Sequence, residues 1–243
     1  ADDALLPDAL TRIAAFMEER PWCAVSRCMN GNDLDRLKPG ARRELEGALP
    51  RHLTSEAAFL AFAVFGNIVG NLSKAACRPM LVLDAGGFDP SYPYVGDYEG
   101  WMRVAARHGI ALQNEELIVE RRHELQNSNL LNKKNEMFPQ LTRLVESIVP
   151  NLADEDIALL RRHWTIHFFA PRIPKLVRQA ARGEFTLAIR GLKELPLGIS
   201  PSAAIAAYPL FKLNPPPARR TTKQLFDRIL ELNAATHQRA GVV

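Results

Sequence analysis

The chain of 243 residues is 47% hydrophobic and 24% charged, an ordinary globular composition whose length suits one large domain or two smaller ones. Three cysteines, Cys23, Cys28 and Cys77, are odd in number and widely spaced, which argues against a disulfide framework and a zinc site and points to a reducing, cytoplasmic setting. The net charge of +4 is scattered in pairs such as Arg42-Arg43, Arg161-Arg162 and Arg219-Arg220 without interleaved aromatics, a pattern that disfavours nucleic acid and leaves contact with anionic lipid open. No apolar run approaches the roughly 18 residues of a membrane helix; the nearest, AAIAAYPLF at 203–211, is interrupted by Pro209.

In chain order, residues 3–20 predict a turn and then a helix. Pro7 suits a first helical turn, Leu10, Ile13, Ala14 and Met17 fall at helical spacing, and Pro21 is the stop. WCAVSRCM, 22–29, predicts a short apolar strand, and GNDLDRLKPG a turn-rich loop. Residues 41–64 carry a helical pattern broken near Pro50, with Thr54 or Ser55 available as a cap. Between 66 and 89 the short apolar runs predict strands near 68–72 and 75–77. A helix from Pro79 to Ala85 follows, stopped by Gly86-Gly87. DYEGWMRVAARHG predicts a helix over 97–109 with Trp101, Val104 and Ala105 on one side and Gly109 at its end. Residues 110–123 hold one or two strands. From about 133 the periodicity is helical, over 135–148, 153–170, 172–182, 184–195, 201–212 and 221–236. The chain therefore divides into an α/β part, 1–132, and a helical region, 133–243.

Few side chains stand out as carriers of chemistry. Asp2 and Asp3 read either as surface or capping carboxylates or as ligands of a hard divalent cation that bridges diphosphate oxygens. Asp97 stands at a predicted helix start among Tyr94, Tyr98 and Trp101. It reads either as an N-cap or as a general base shielded by aromatics that offer flat platforms to sugar faces. His123, with Arg121 and Arg122 before it, is either part of a solvated charge cluster or a partner of phosphate oxygens. His163 and His167, four apart with no Glu between them, favour packing over metal chelation.

The order of these pieces carries a resemblance. ADDALLPDALTRIAAFMEERP resembles the segment that follows the Asp-x-Asp region of family-2 glycosyltransferases, where an acidic pair ends a strand and a helix closing at a Pro follows. RPMLVLDAGGFDPSYPYVGDYEGWMRVAARHGIALQNEELIVERRHELQNS is similar to that family's acceptor-side signature. Its elements are an Arg, a short helix, Gly-Gly-Phe-Asp, an acidic residue and a Trp-x-Arg helix, then a strand and an Arg-x-His step leading to a Ser. Together the two stretches span roughly residues 1–130 and leave out the helical region.

The resemblance implies an α/β chain with a partial, Rossmann-like GT-A mixed sheet followed by helices. It implies inverting transfer from a nucleotide-sugar donor to a glycan or lipid-linked acceptor, with Mg or Mn as cofactor and no nucleic acid. The setting would be cell-envelope polysaccharide synthesis in the cytoplasm, with peripheral contact at the inner membrane face. Asp2, Asp3 and His123 would hold the metal, and with Arg121 they would hold the donor. Asp97 would be the base, with Glu99 its rival. Gly86, Gly87, Phe88, Tyr94, Tyr98 and Trp101 would shape the acceptor side. In that family several βα units precede the acidic pair, so the chain is expected to be the C-terminal portion of a longer enzyme and inactive alone. The Gln-x-x-Arg-Trp motif of processive members is missing, which implies transfer of single sugars. The competing expectation is a non-catalytic helical interaction module or a peripheral membrane-binding module.

Overall fold

A computed structural model describes residues 3–30, 45–120, 137–193, 195, 198–213 and 216–239. The protein is mixed α/β with a helical C-terminal region, and it forms two compact units, 1–123 with 226–243, and 124–225. The boundary expected at 132/133 lies outside the described residues. The sequence division differs in one respect: from Phe226 the last helix belongs with the first unit.

Among the described residues the first unit is built on five strands: β1 (Ala4–Leu5), β2 (Val25–Asn30), β3 (His52–Leu53), β4 (Ala75–Cys77) and β5 (Ile110–Val119). Their order is β1-β5-β2-β4, with β3 also pairing β5. β2 runs parallel to β5, Ser26 opposite Ala111, while the other pairings are antiparallel. A parallel pair needs a long crossover, and the crossover from β2 to β5 includes α2 (Ser55–Phe65), α3 (Pro79–Asp84) and α4 (Gly96–His108). Val25, Ser26, Arg27 and Cys28 are all buried, the mark of a strand covered on both faces. Helix α1 (Ala9–Glu18) starts two residues after Pro7 and packs Ala9 against Cys28, Leu117 and Ile118.

Helix α2, SEAAFLAFAVF, is apolar almost all round, and Leu60 to Phe65 are buried without interruption. Such a helix belongs inside a core. Thr54 occupies its N-cap position but makes no side-chain cap bond. Its backbone N–H donates instead to Asn233 Oδ1 at 2.8 Å, and Asn233 Nδ2 donates to His52 O at 3.1 Å. That pair ties the end of the last helix, α11 (Pro216–Arg239), to the first unit.

The strand expected at 68–72 does not form. Asn67 donates to Gly70 O at 2.9 Å and accepts from Gly70 N–H at 3.0 Å. Both backbone groups of Gly70 are thereby taken away from any strand ladder, and Gly70 adopts φ 87°. A 3-10 turn, Leu72–Lys74, leads into β4. Gly109 ends α4 at φ 67°, where an added Cβ would lie 2.6 Å from Leu53 O.

The second unit contains α5 (Met137–Ile148), α6 (Asp154–Trp164), α7 (Ile173–Ala181), α8 (Phe185–Lys193), α9 (Pro201–Ala206), α10 (Tyr208–Leu213) and the first part of α11. The helix expected over 153–170 changes pitch to a π turn at Thr165–Phe169 and a 3-10 turn at Ala170–Arg172, beside Pro171. Ile166, Ala170, Ala207 and Ala218 form its core, joined by Tyr208 and Phe211. Among the described residues no helix is long and apolar enough to cross a membrane.

Candidate functional site

The stretch that begins at Gly86 is held by a clamp. Helix α3 closes with Gly86 N–H bonded to Leu83 O at 2.8 Å and Gly87 N–H to Val82 O at 2.9 Å, a double bond pattern that needs a left-handed residue. Gly86 supplies it at φ 93°. Arg103, from α4, donates to Ala85 O and, at 2.8 Å, to Gly87 O. A Cβ on Gly86 would meet the Arg103 Nη1 at 2.6 Å, so glycine is required for the approach as well as for the turn. Glu99, one helical turn earlier, accepts from Arg103 Nε and Nη2 at 2.8 Å each. The Gly-Gly and Trp-x-Arg pieces of the sequence are therefore one mechanical unit.

Phe88 lies against Gly100, where an added Cβ would come within 2.4 Å of its ring, and meets Trp101 edge-on at 5.0 Å. Of the aromatics expected as sugar platforms, Trp101 is 2% exposed and Tyr98 is buried. The Tyr98 hydroxyl donates to Phe62 O at 2.6 Å, and its ring stacks on Phe62 at 5.9 Å. Both belong to the core beneath the loop. Phe88, at 44% exposure, and the half-buried Tyr94 are the aromatics left towards solvent.

Asp97 is the second residue of α4, not its cap; Val95 holds the cap position. There the helix dipole favours a carboxylate. Oδ1 accepts from the Tyr98 N–H at 2.8 Å and Oδ2 from Asn67 Nδ2 at 3.1 Å. Burial pushes the carboxyl above the usual aspartate range, partly offset by backbone N–H groups and by Asn67. Glu99, its rival, is buried with both oxygens accepting from Arg103.

One loop, residues 66–74, links acidic groups that are far apart in sequence. Asn67 reaches Asp97. Asn71 Nδ2 donates to Glu120 Oε1 at 3.2 Å, and Lys74 Nζ lies 3.3 Å from Glu120 Oε2. Ser73 Oγ donates to Asp3 Oδ2. The pairing of Ala4 with Val119 places Asp3 and Glu120 at the same end of β1 and β5. Asn67, Asn71, Ser73 and Lys74 are signalled in the sequence only by the composition of GNIVGNLSK, two glycines, two asparagines, a serine and a lysine where a strand was expected; Glu120 carries no such signal.

Asp2, Arg121 and His123 lie outside the described residues. Among the described residues no group of three or more His, Cys, Asp or Glu is arranged to hold a metal ion. His163 and His167 pack in the second unit, their rings 4.8 Å apart, with Nδ1 of the first and Nε2 of the second at 3.1 and 3.3 Å from Thr222 Oγ1. One hydroxyl serves both rings, which accounts for their spacing without an ion. The chain matches no family model, no curated protein and no solved structure.

Proposed function

We propose that the first unit is the acceptor-side part of an inverting, GT-A-type glycosyltransferase with Asp97 as general base. The observation that carries this is the convergence of Asp3, Asp97 and Glu120 on the 66–74 loop. These are the positions where the resemblance puts the donor-side acid, the base and the residue before the Arg-x-His step. Asp97 Oδ2 takes the proton of an acceptor hydroxyl. The hydroxyl oxygen bonds to the anomeric carbon from one face as the bond to the nucleoside diphosphate breaks on the other, which inverts the centre. A carboxyl held above its ordinary range by burial is a stronger base than a solvated one. Asn67 is the positioning residue that fixes its orientation.

Asp3 offers the hard oxygen ligand that Mg or Mn takes, and such an ion would supply charge neutralisation for the departing diphosphate. Asp2, Arg121 and His123 are proposed to join it on the donor side. The acceptor, a glycan or a lipid-linked sugar, would meet Phe88 and Tyr94 on the open side of the clamp.

The test is sugar transfer by the protein isolated from its own host, offered uridine and guanosine diphosphate sugars with Mn. Asp97→Asn is expected to lower turnover by about 10²- to 10⁴-fold with donor binding unchanged. An Asp97→Asn protein that transfers sugar at the unaltered rate would overturn the assignment.

A further inference from the structure

Helices α7 and α8 of the second unit form a hairpin with one face uncovered. α7 ends at Gly183, φ 79°, with the Gly183 N–H on Ala180 O at 3.0 Å and the Glu184 N–H on Gln179 O at 2.9 Å, and α8 starts at once. Leu176 and Gln179 of α7 and Ala188 and Gly191 of α8 are buried. Each helix also leaves large apolar side chains open: Val177 and Phe185 are each 61% exposed and Ile189 is 49% exposed. Phe185 and Ile189 stand one helical turn apart, and so do Arg178 and Arg182 beside Val177. Arg190 and Lys193 continue the exposed side of α8. These four cations have no carboxylate partner among the described residues, and the only acid between 172 and 193 is Glu184, at the turn.

The hairpin thus exposes three large apolar side chains beside four cations that have no carboxylate partner among the described residues. Large apolar side chains rimmed by Arg and Lys match the boundary between anionic headgroups and acyl chains. A nucleic acid would take the cations but would gain nothing from Val177 and Ile189. We propose that the α7–α8 hairpin docks on an anionic lipid surface. Phe185, Ile189 and Val177 enter the acyl boundary, and Arg178, Arg182, Arg190 and Lys193 sit at the phosphates. This inference stands whether or not the first unit transfers sugar.

The experiment is co-sedimentation of the whole protein with vesicles of phosphatidylcholine and with vesicles of equal parts phosphatidylcholine and phosphatidylglycerol. Binding is expected to the mixed vesicles only and to weaken as salt rises. Arg178→Gln and Arg182→Gln are each expected to lower partitioning about fivefold. Phe185→Ser should lower it about tenfold, through the lost apolar contact. Circular dichroism and elution volume report folding; should Phe185→Ser unfold, the two exposed arginine variants still decide. Equal binding to both vesicles, or arginine variants that bind like the unaltered protein, would overturn the proposal. So would retention of duplex DNA without any binding to the mixed vesicles.

Discussion

The clamp around Ala85–Gly87 and the loop at 66–74 flank the same first turn of helix α4, and each is held by one of its carboxylates. Glu99 reaches one turn forward to Arg103 and is held there by two 2.8 Å bonds. Asp97, two residues earlier, receives neutral donors, a backbone N–H and the Asn67 amide. The Glu99 carboxylate is paired with a cation, whereas burial pushes the Asp97 carboxyl up because a charge there is costly. One carboxylate is therefore locked to a cation, while the other keeps neutral partners, as the proposed base would. Sequence spacing alone does not tell these neighbours apart; partner chemistry does.

The comparison breaks most visibly at Glu99. Glu99→Gln replaces an acceptor with an amide donor facing the guanidinium and releases the turn that Arg103 holds. A loss of about 3 kcal/mol is expected, towards the lower end for a broken buried pair because the Arg103 side chain keeps 32% exposure. Urea denaturation would measure it. Asp97→Asn should leave the denaturation midpoint far less changed while removing transfer. If the two variants exchanged these outcomes, Glu99 would be the base.

Gly100→Ala probes the clamp from its other side. The new methyl would fall 2.4 Å from the Phe88 ring, so Phe88 must leave its place on Trp101. A cost of about 2 kcal/mol follows from overpacking a filled position, measurable by thermal denaturation. A milder loss falls on the far side of the unit. Asn233→Ala leaves the Thr54 N–H and the His52 carbonyl without their partner, at a cost of about 1 to 2 kcal/mol.

Much of this region was legible in the sequence, and the reasons are local. The stop at Gly86-Gly87 and the helix ending at Gly109 were readable because only glycine takes those φ values cheaply. The aromatics were misjudged: Tyr98 and Trp101, expected on the acceptor side, are core residues, in a run from Tyr98 to Met102 that is buried without a break. The strand expected at 68–72 failed for a different reason. Its apolar pattern was real, but the Asn67 side chain outcompeted the ladder for the backbone of Gly70. The bonds from Asn233 to Thr54 and His52 span 179 and 181 residues, and no periodicity announces such partners. The links from Ser73 to Asp3 and from Lys74 to Glu120 are hidden in the same way.

Asn67 sharpens the comparison without breaking it. Its amide lowers the Asp97 carboxyl, against the larger upward push of burial. Asn67→Ala removes that donor, so the Asp97 carboxyl moves further up. Because the base acts only when deprotonated, the acidic limb of the pH profile of transfer should move to higher pH while the plateau rate falls less. A variant that loses rate equally at every pH would place Asn67 in the scaffold alone.

The smallest expected effect is thermodynamic, and it tests the Asp97 carboxyl without any substrate. A carboxyl whose folded-state value lies above its unfolded one binds its proton more tightly in the folded protein. Stability from this group is then highest at acidic pH. It is lost as pH rises from the ordinary aspartate value through the raised one, and the loss is complete above both. Asparagine does not titrate, so the stability of Asp97→Asn relative to the unaltered protein should shift in favour of the variant across that window. Paired urea titrations at several pH values would show it. A difference that stays flat with pH would mean that the folded protein leaves Asp97 at its ordinary value, and its claim to be the base would then rest on position alone.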